Sequence, residues 1–127
     1  MPRRQSKAPS VGLSHLRVTF TADFYMGPGR ADLMELIAET GSIAAAGKRM
    51  GMSYKRAWSL VQNLNDGFGA PLIEATRGGA GQGGAVLSPA GTEVLRRYRH
   101  MQARTRTAIA PDVEAIVMLH ADMAAKK

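Results

Sequence analysis

A chain of 127 residues with 45% hydrophobic and 21% charged side chains has material for one folded core and is not a disordered polymer. It contains no cysteine, which excludes a disulfide framework and a thiolate metal site, and no apolar run approaches the roughly 20 residues that a membrane span needs. The net charge of +7 draws polyanions, so where the charge sits becomes the question. Residues 1–30 hold five basic groups and one acid. Residues 31–70 hold four of each, but Asp32, Glu35 and Glu39 come first, and Lys48, Arg49, Lys55 and Arg56 follow within nine residues. A basic run alone is as often a solvated face as a binding face.

Residues 1–13, with Pro2, Pro9, Gly12 and three basic groups, are expected to form a disordered basic arm. Met1 to Val11 has no apolar stretch behind it and does not look like a secretory signal. Leu16, Val18 and Phe20 alternate with polar neighbours, which predicts a half-buried strand. Gly27-Pro28-Gly29 predicts a break. A first helix is expected from Arg30 to Thr40, with Leu33, Leu36 and Ile37 as its apolar stripe. Asp32 would sit in its first turn, favourable to the helix dipole, and Gly41 would stop it. Ser42 can cap a second helix, from Ile43 to about Met50. Its Ala44, Ala45 and Ala46 would let a neighbour approach closely, and Gly51 would end it.

Ser53 can cap a third helix, from Tyr54 to about Asp66. At 100° per residue, Ala57, Leu60, Val61 and Leu64 fall on one face, with Tyr54 at its edge. Lys55, Arg56, Ser59, Gln62, Asn63 and Asp66 fall on the other. Trp58 stands at the border, and core packing is its expected role. Gly67 and Gly69 are expected stops. Leu72 to Thr76 suits a short strand and Ala85 to Leu87 a returning one. Between them Arg77 to Gly84 forms a glycine-rich hairpin loop. Ser88-Pro89 then opens a last helix. Val94, Tyr98, Met101, Thr105 and Ala108 recur at 4-3-4-3, a heptad seam too long for one small core, which predicts a homodimer paired through these residues. Pro111 is expected to interrupt this helix before a second run with Val113, Ile116, Val117 and Met123.

Two short helices, a tight turn and a third helix with a polar outer face make a helix-turn-helix. In that motif the last helix must offer groups that bond base edges and groups that hold phosphates. Lys55, Arg56, Ser59, Gln62 and Asn63 are of those types, since Arg and Lys suit guanine and Asn and Gln suit adenine. Ser53 and Tyr54 lie at the start of the same helix, and Lys48 and Arg49 are expected phosphate contacts. So is Arg77 at the base of the loop, where Gly79, Gly81 and Gln82 let the backbone approach a phosphate. Double-stranded DNA is the expected partner.

Two other classes compete. Gly79, Gly81 and Gly84 satisfy G-x-G-x-x-G, but a strand follows these glycines where a dinucleotide site needs a helix, and no acidic residue stands near position 104. His15, His100 and His120 have no ligand-type spacing, and no serine stands in a nucleophile elbow, so neither an enzyme nor a resident cofactor or metal is expected. The stronger rival is a winged helix kept as a protein-interaction module that no longer binds DNA. Such a module would tend to place apolar anchors on the third helix, where Lys55, Ser59, Gln62 and Asn63 stand instead.

The segments Ser42-Ile43, Met52-Ser53-Tyr54-Lys55-Arg56-Ala57-Trp58 and Thr76 through Gly91 resemble the N-terminal domain of the ModE family of molybdate-responsive transcriptional regulators. Ser-Tyr-Lys-x-Ala-Trp and the glycine-rich wing ending in Gly-Ala-Val-Leu are the specific signatures. Leu72 to Gly91 also looks like the wing and following helix of LysR-type regulators. The likeness covers about residues 16–105. It implies a dimeric, cytoplasmic, winged helix-turn-helix transcription regulator acting on a palindromic operator, with Tyr54 to Asp66 as recognition helix. The family's molybdate-binding module follows this domain. These 127 residues leave no room for it, so no molybdate ligand is expected here. The expected fold is mainly α with a small β wing: a DNA-binding domain over 14–88 and a helical dimerisation tail over 89–127.

Overall fold

The computed structural model describes residues 12–77 and 83–126. In chain order the elements are β1 (Val18–Thr21), β2 (Phe24–Met26), α1 (Pro28–Thr40), α2 (Ile43–Arg49), α3 (Tyr54–Phe68), β3 (Ile73–Arg77), β4 (Gly83–Leu87) and α4 (Pro89–Ala125). The strands form two antiparallel pairs, β1 with β2 and β3 with β4. This is a winged helix-turn-helix, mainly α with a small β wing, and α1 runs through its centre. Ala31, Leu33, Met34, Leu36 and Ile37 of α1 are fully buried. Ala46 of α2, Ala57, Val61 and Leu64 of α3, and Ile73 and Ala85 of the wing close over them.

Caps set the helix starts. Ser42, Ser53 and Ser88 are extended, and their side chains accept hydrogen bonds from the backbone N–H of Ala45, Arg56 and Gly91. The helix ends follow the sequence less closely. α1 begins at Pro28, inside the expected break, because a proline at the first helical position needs no N–H partner and has its φ already set. Asp32 therefore lies past the first turn, and its carboxylate meets Arg99 instead. Gly67 does not stop α3. It stays helical, and a Cβ there would run into the ring of Phe24, so the glycine makes room for β2. Gly69, with φ of 68°, is the true stop. Pro111 does not interrupt α4. The carbonyl it leaves without a donor, four residues back at Thr107, lies on an exposed stretch where water can serve it.

The first hairpin also differs from expectation. β1 is mostly exposed, with Phe20 at 50%, because β2 pairs with it and supplies the buried Phe24 and Met26. Phe20, Phe24 and Phe68 meet with ring centroids 5.2–5.4 Å apart, so the hairpin caps the end of α3. Ala44, Ala45 and Ala46 are the expected place for a neighbour's close approach; the tight contact of α2 with α3 falls at Gly47. A Cβ on Gly47 would lie 2.8 Å from that of Ala57.

α4 joins the core through its first four turns. Tyr98 is buried and its hydroxyl donates to the Leu16 carbonyl at 2.6 Å; burial pushes its pKa up. Arg99 donates to Asp32 at 2.8 Å, to Glu35 at 2.7 Å and to Gln102 at 3.0 Å, which ties α4 to α1. Burial works against its charge, but the two carboxylates outweigh that and hold the guanidinium firmly protonated. Beyond Gln102 no described residue of α4 is buried.

The join between wing and α4 leaves no slack. Ser88 donates through Oγ to the Pro71 carbonyl at 2.7 Å and through its N–H to that of Leu72 at 2.9 Å. Gly91 is buried, and a Cβ there would strike the Leu72 carbonyl. Gly91→Ala should therefore destabilise the fold by ~1–3 kcal/mol, the usual range for overpacking. Urea unfolding checks this; an unchanged midpoint would mean that the strand moves away freely.

Candidate nucleic-acid interface

α3 displays its polar side because its apolar side is held by α1 and α2. Ala57, Val61 and Leu64 are buried and Leu60 is half-buried, whereas Lys55, Arg56, Ser59 and Asn63 are exposed. Gln62 is half-buried. Lys55 and Ser59 lie along the middle of the exposed surface. Its two flanks differ in character.

The flank toward the wing is aromatic. Tyr54, at the edge of the apolar face, is 57% exposed, and Trp58, expected to pack in the core, is 46% exposed. Both line a shallow recess with Ser42 and Ile43 of α2 and Thr76 and Gly84 of the wing. The rings stay out because α3 meets α2 through the small pair Gly47 and Ala57, which leaves no gap there for an indole.

The opposite flank is cationic. Arg56 lines a cleft of about 270 Å³ with His15, Arg17, Tyr25 and Arg30. Asn63 is drawn into the same region, since Arg30 donates to its Oδ1 at 2.6 Å. Sequence reasoning missed Arg17 and Arg30, because their charges are distant in the chain and converge only through the first hairpin. It also missed Asn65, which accepts from the N–H groups of Leu72 and Ile73 and donates to the Ile73 carbonyl. That clasp fixes where the wing leaves α3. An Asx-type side chain just before a Gly-Phe-Gly-Ala-Pro turn was the signal available.

Lys48 and Arg49 close α2, where cations favour the helix dipole. Lys48 is exposed, and Arg49 lies 3.7 Å from Glu39. The wing is fixed at its root: the Ala85 N–H donates to the Gly41 carbonyl at 2.9 Å, and a Cβ on Gly84 would come within 2.9 Å of that oxygen. Arg77 ends β3. Its side chain, and all of Gly79, Gly81 and Gln82, lie outside the described residues, as do residues 1–11 of the N-terminal arm.

The heptad positions divide. Tyr98, expected at a dimer seam, is 2% exposed and belongs to the core of its own chain, where Leu16 takes its hydroxyl. Val94 is half-buried against that core, Thr105 is half-buried, and Met101 and Ala108 are exposed. Val94 and Met101 line an apolar groove of about 280 Å³ with Val18, Phe20 and Phe68. Among the described residues no group of three or more His, Asp or Glu could hold a metal ion, and no helix is long and apolar enough to cross a membrane.

The family model described as bacterial regulatory helix-turn-helix protein, lysR family, matches residues 31–92. The chain is 45% identical over 78 residues to the molybdenum-pterin-binding protein MopB of Rhodobacter capsulatus, a match covering 61% of this chain and 29% of that one. It is 38% identical over 74 residues to the DNA-binding transcriptional dual regulator ModE of Escherichia coli K12, covering 58% and 28%. The chain thus spans under a third of the length of these relatives. Among solved structures it is similar to the CbnR DNA-binding domain in its crystallised complex with DNA. The TM-score is 0.53 at 26% identity, with 68% of this chain and 95% of that one covered.

The Ser53 cap holds the start of α3, where the exposed basic residues begin. Ser53→Ala should cost ~0.5–2 kcal/mol of stability, since the Arg56 N–H loses its acceptor. Thermal denaturation reads the loss, and Ser53→Asp should recover most of it. Equal stability of all three proteins would show that the cap bond contributes nothing.

Proposed function

We propose, from the premise that residues 31–92 are a regulatory helix-turn-helix domain of the lysR type, that this protein binds double-stranded DNA sequence-specifically and regulates transcription. The observation that carries the reading is the surface of α3. Lys55, Arg56 and Ser59 stand exposed on its first two turns, and the opposite face is locked into the core. The first turns of such a helix lie deepest in the major groove. Lys48, Arg49 and Arg77 would then hold phosphates, and the wing loop with Gly79, Gly81 and Gln82 would lie along the backbone. A cytoplasmic location follows from that partner.

The relatives named for molybdenum are more than three times as long as the matched region. No residue here is assigned to molybdate, and no reaction is assigned to the chain. The protein-interaction reading gains one observation, the exposed pair Tyr54 and Trp58. Rings on the flank can serve a sugar or a base as well as a protein partner, so the duplex experiment decides between the two.

Arg56 presents the fork that guanine O6 and N7 accept. If it reads a guanine, Arg56→Ala should lose ~1–3 kcal/mol on a duplex selected from genomic DNA and much less on a scrambled one at the same salt. Helix content should stay unchanged, because the side chain is exposed. Equal losses on both duplexes would make Arg56 a phosphate contact. Failure of the wild type to bind any selected duplex would favour the interaction module.

The same proposal includes a two-fold dimer, with a DNA-binding domain over 14–88 and a dimerisation tail over 89–127 whose first turns also serve the core. Its support is α4 itself. Ile116, Met118, Leu119 and Met123 are 54–66% exposed on a helix with no buried residue past Gln102 among those described, a state that favours pairing. Recognition helices would then lie about one DNA turn apart, ~34–36 Å, on a palindromic site. Met101→Asp places a charge in the apolar groove and should give monomers by sedimentation equilibrium at micromolar concentration, with the domain still folded. A wild type that is already monomeric, free and on DNA, would remove the dimer.

A further inference from the structure

The cleft beside the cationic flank of α3 has a composition that the core does not explain. Its walls come from the segment before β1, from β2, from the start of α1 and from the start of α3. Three guanidinium groups, Arg17, Arg30 and Arg56, and the imidazole of His15 line it, and no carboxylate does. Two of these cations use the same ring: Arg17 lies 3.9 Å and Arg30 4.4 Å from the centroid of Tyr25. The ring's π face offsets part of their repulsion and orients both heads. The Arg30 head is incompletely bonded. One amino group donates to Asn63, while Nε is buried without a hydrogen-bond partner. Cations gathered with no counter-charge stabilise the fold less than they stabilise a bound anion. Guanidinium forks match phosphate oxygens in particular.

The position of the cleft identifies the anion. Arg56 belongs both to the cleft and to the exposed start of α3, and the Arg30–Asn63 bond joins the cleft to the middle of that helix. A duplex with α3 in its major groove has a sugar–phosphate strand along each flank of the helix. The wing lies toward one flank and the cleft lies on the other. We propose that the cleft clamps one phosphate of the DNA backbone, with Arg17 as its exposed and replaceable arm and Arg30 fixed beneath by Tyr25. This rests on the DNA-binding reading above. It adds the first hairpin to the interface and gives α3 a phosphate anchor opposite the wing.

The test uses Arg17→Gln, because Arg17 is exposed and makes no ion pair among the described residues. Binding to the selected and the scrambled duplex is measured over a salt series. The variant should lose affinity equally on both, and the slope of log K against log salt should fall by about 1. Arg17→Lys should restore the slope. A single methylphosphonate moved along the selected duplex should weaken the wild type at one position and leave Arg17→Gln indifferent there. Unchanged affinity and slope in Arg17→Gln, while Arg56→Ala still weakens binding, would overturn the clamp and leave the DNA-binding reading standing. A wild type that binds no duplex overturns both. Inorganic phosphate titrated without DNA separates the other source of the same chemistry. If it raises the melting temperature of the wild type and not of Arg17→Gln, beyond chloride at equal ionic strength, and DNA affinity is the same for both, the cleft takes a free oxyanion and the clamp is overturned.

Discussion

The contact between Gly47 and Ala57 is the constraint on which the rest depends. The main chain of α2 comes so near to α3 there that one methyl group would not fit. That approach brings α2 behind α3, buries Val61 and Leu64 over α1, and leaves the opposite side of α3 facing outward. It also keeps the indole of Trp58 outside, since no space remains between the helices for a ring. The polar surface of α3 is thus a by-product of a backbone contact on its far side, and its orientation is no better defined than that contact.

α1 is the element that transmits this orientation. It touches α2, the wing and α4, and it does so with different chemistry each time. Apolar side chains such as Leu36 and Ile37 meet the core. The Gly41 carbonyl, freed by the left-handed end of the helix, receives the Ala85 N–H of the wing. Asp32 and Glu35 receive Arg99 of α4. These ion pairs are about a third exposed, so solvent screens them and their value lies in direction more than in strength. The wing and the long helix accordingly share one rigid support, and the first hairpin is braced on the end of α3 by three phenylalanine rings.

Features governed by neighbours in the chain were legible in the sequence. The three serine caps, the glycine after Thr40 and the separation of Ala57, Val61 and Leu64 from Lys55, Arg56 and Ser59 each follow from local rules. So does the family likeness, which rests on contiguous residues. Features governed by distant partners were not. Gly67 reads as a stop until Phe24 is known to lie against it. Tyr98 has the spacing of a seam, but Leu16, 82 residues earlier, takes its hydroxyl. Asn63 reads as a free base-reading amide until Arg30 is seen to reach it. Arg17 and Arg30 belong to one site only because β2 returns along β1 and sets Tyr25 between them. Pro111 misleads for the opposite reason: the rule is right for a helix under cover, and Thr107 and Pro111 lie on an exposed side where water can serve the freed carbonyl.

The stretch beyond Pro111, exposed but for the half-buried Val113, makes α4 a mechanical element. Its 37 residues extend ~55 Å, and the part beyond Pro111 is a cantilever of ~21 Å at 1.5 Å per residue. The missing hydrogen bond at the proline makes a compliant joint, and a bend of about 20° there would move the tip by about 7 Å. In a two-fold pair joined near the tips, the stiffness of this joint would decide how far apart the two reading heads can stand. A sequence change that touches neither DNA nor the dimer contact could then alter which half-site spacing the molecule accepts.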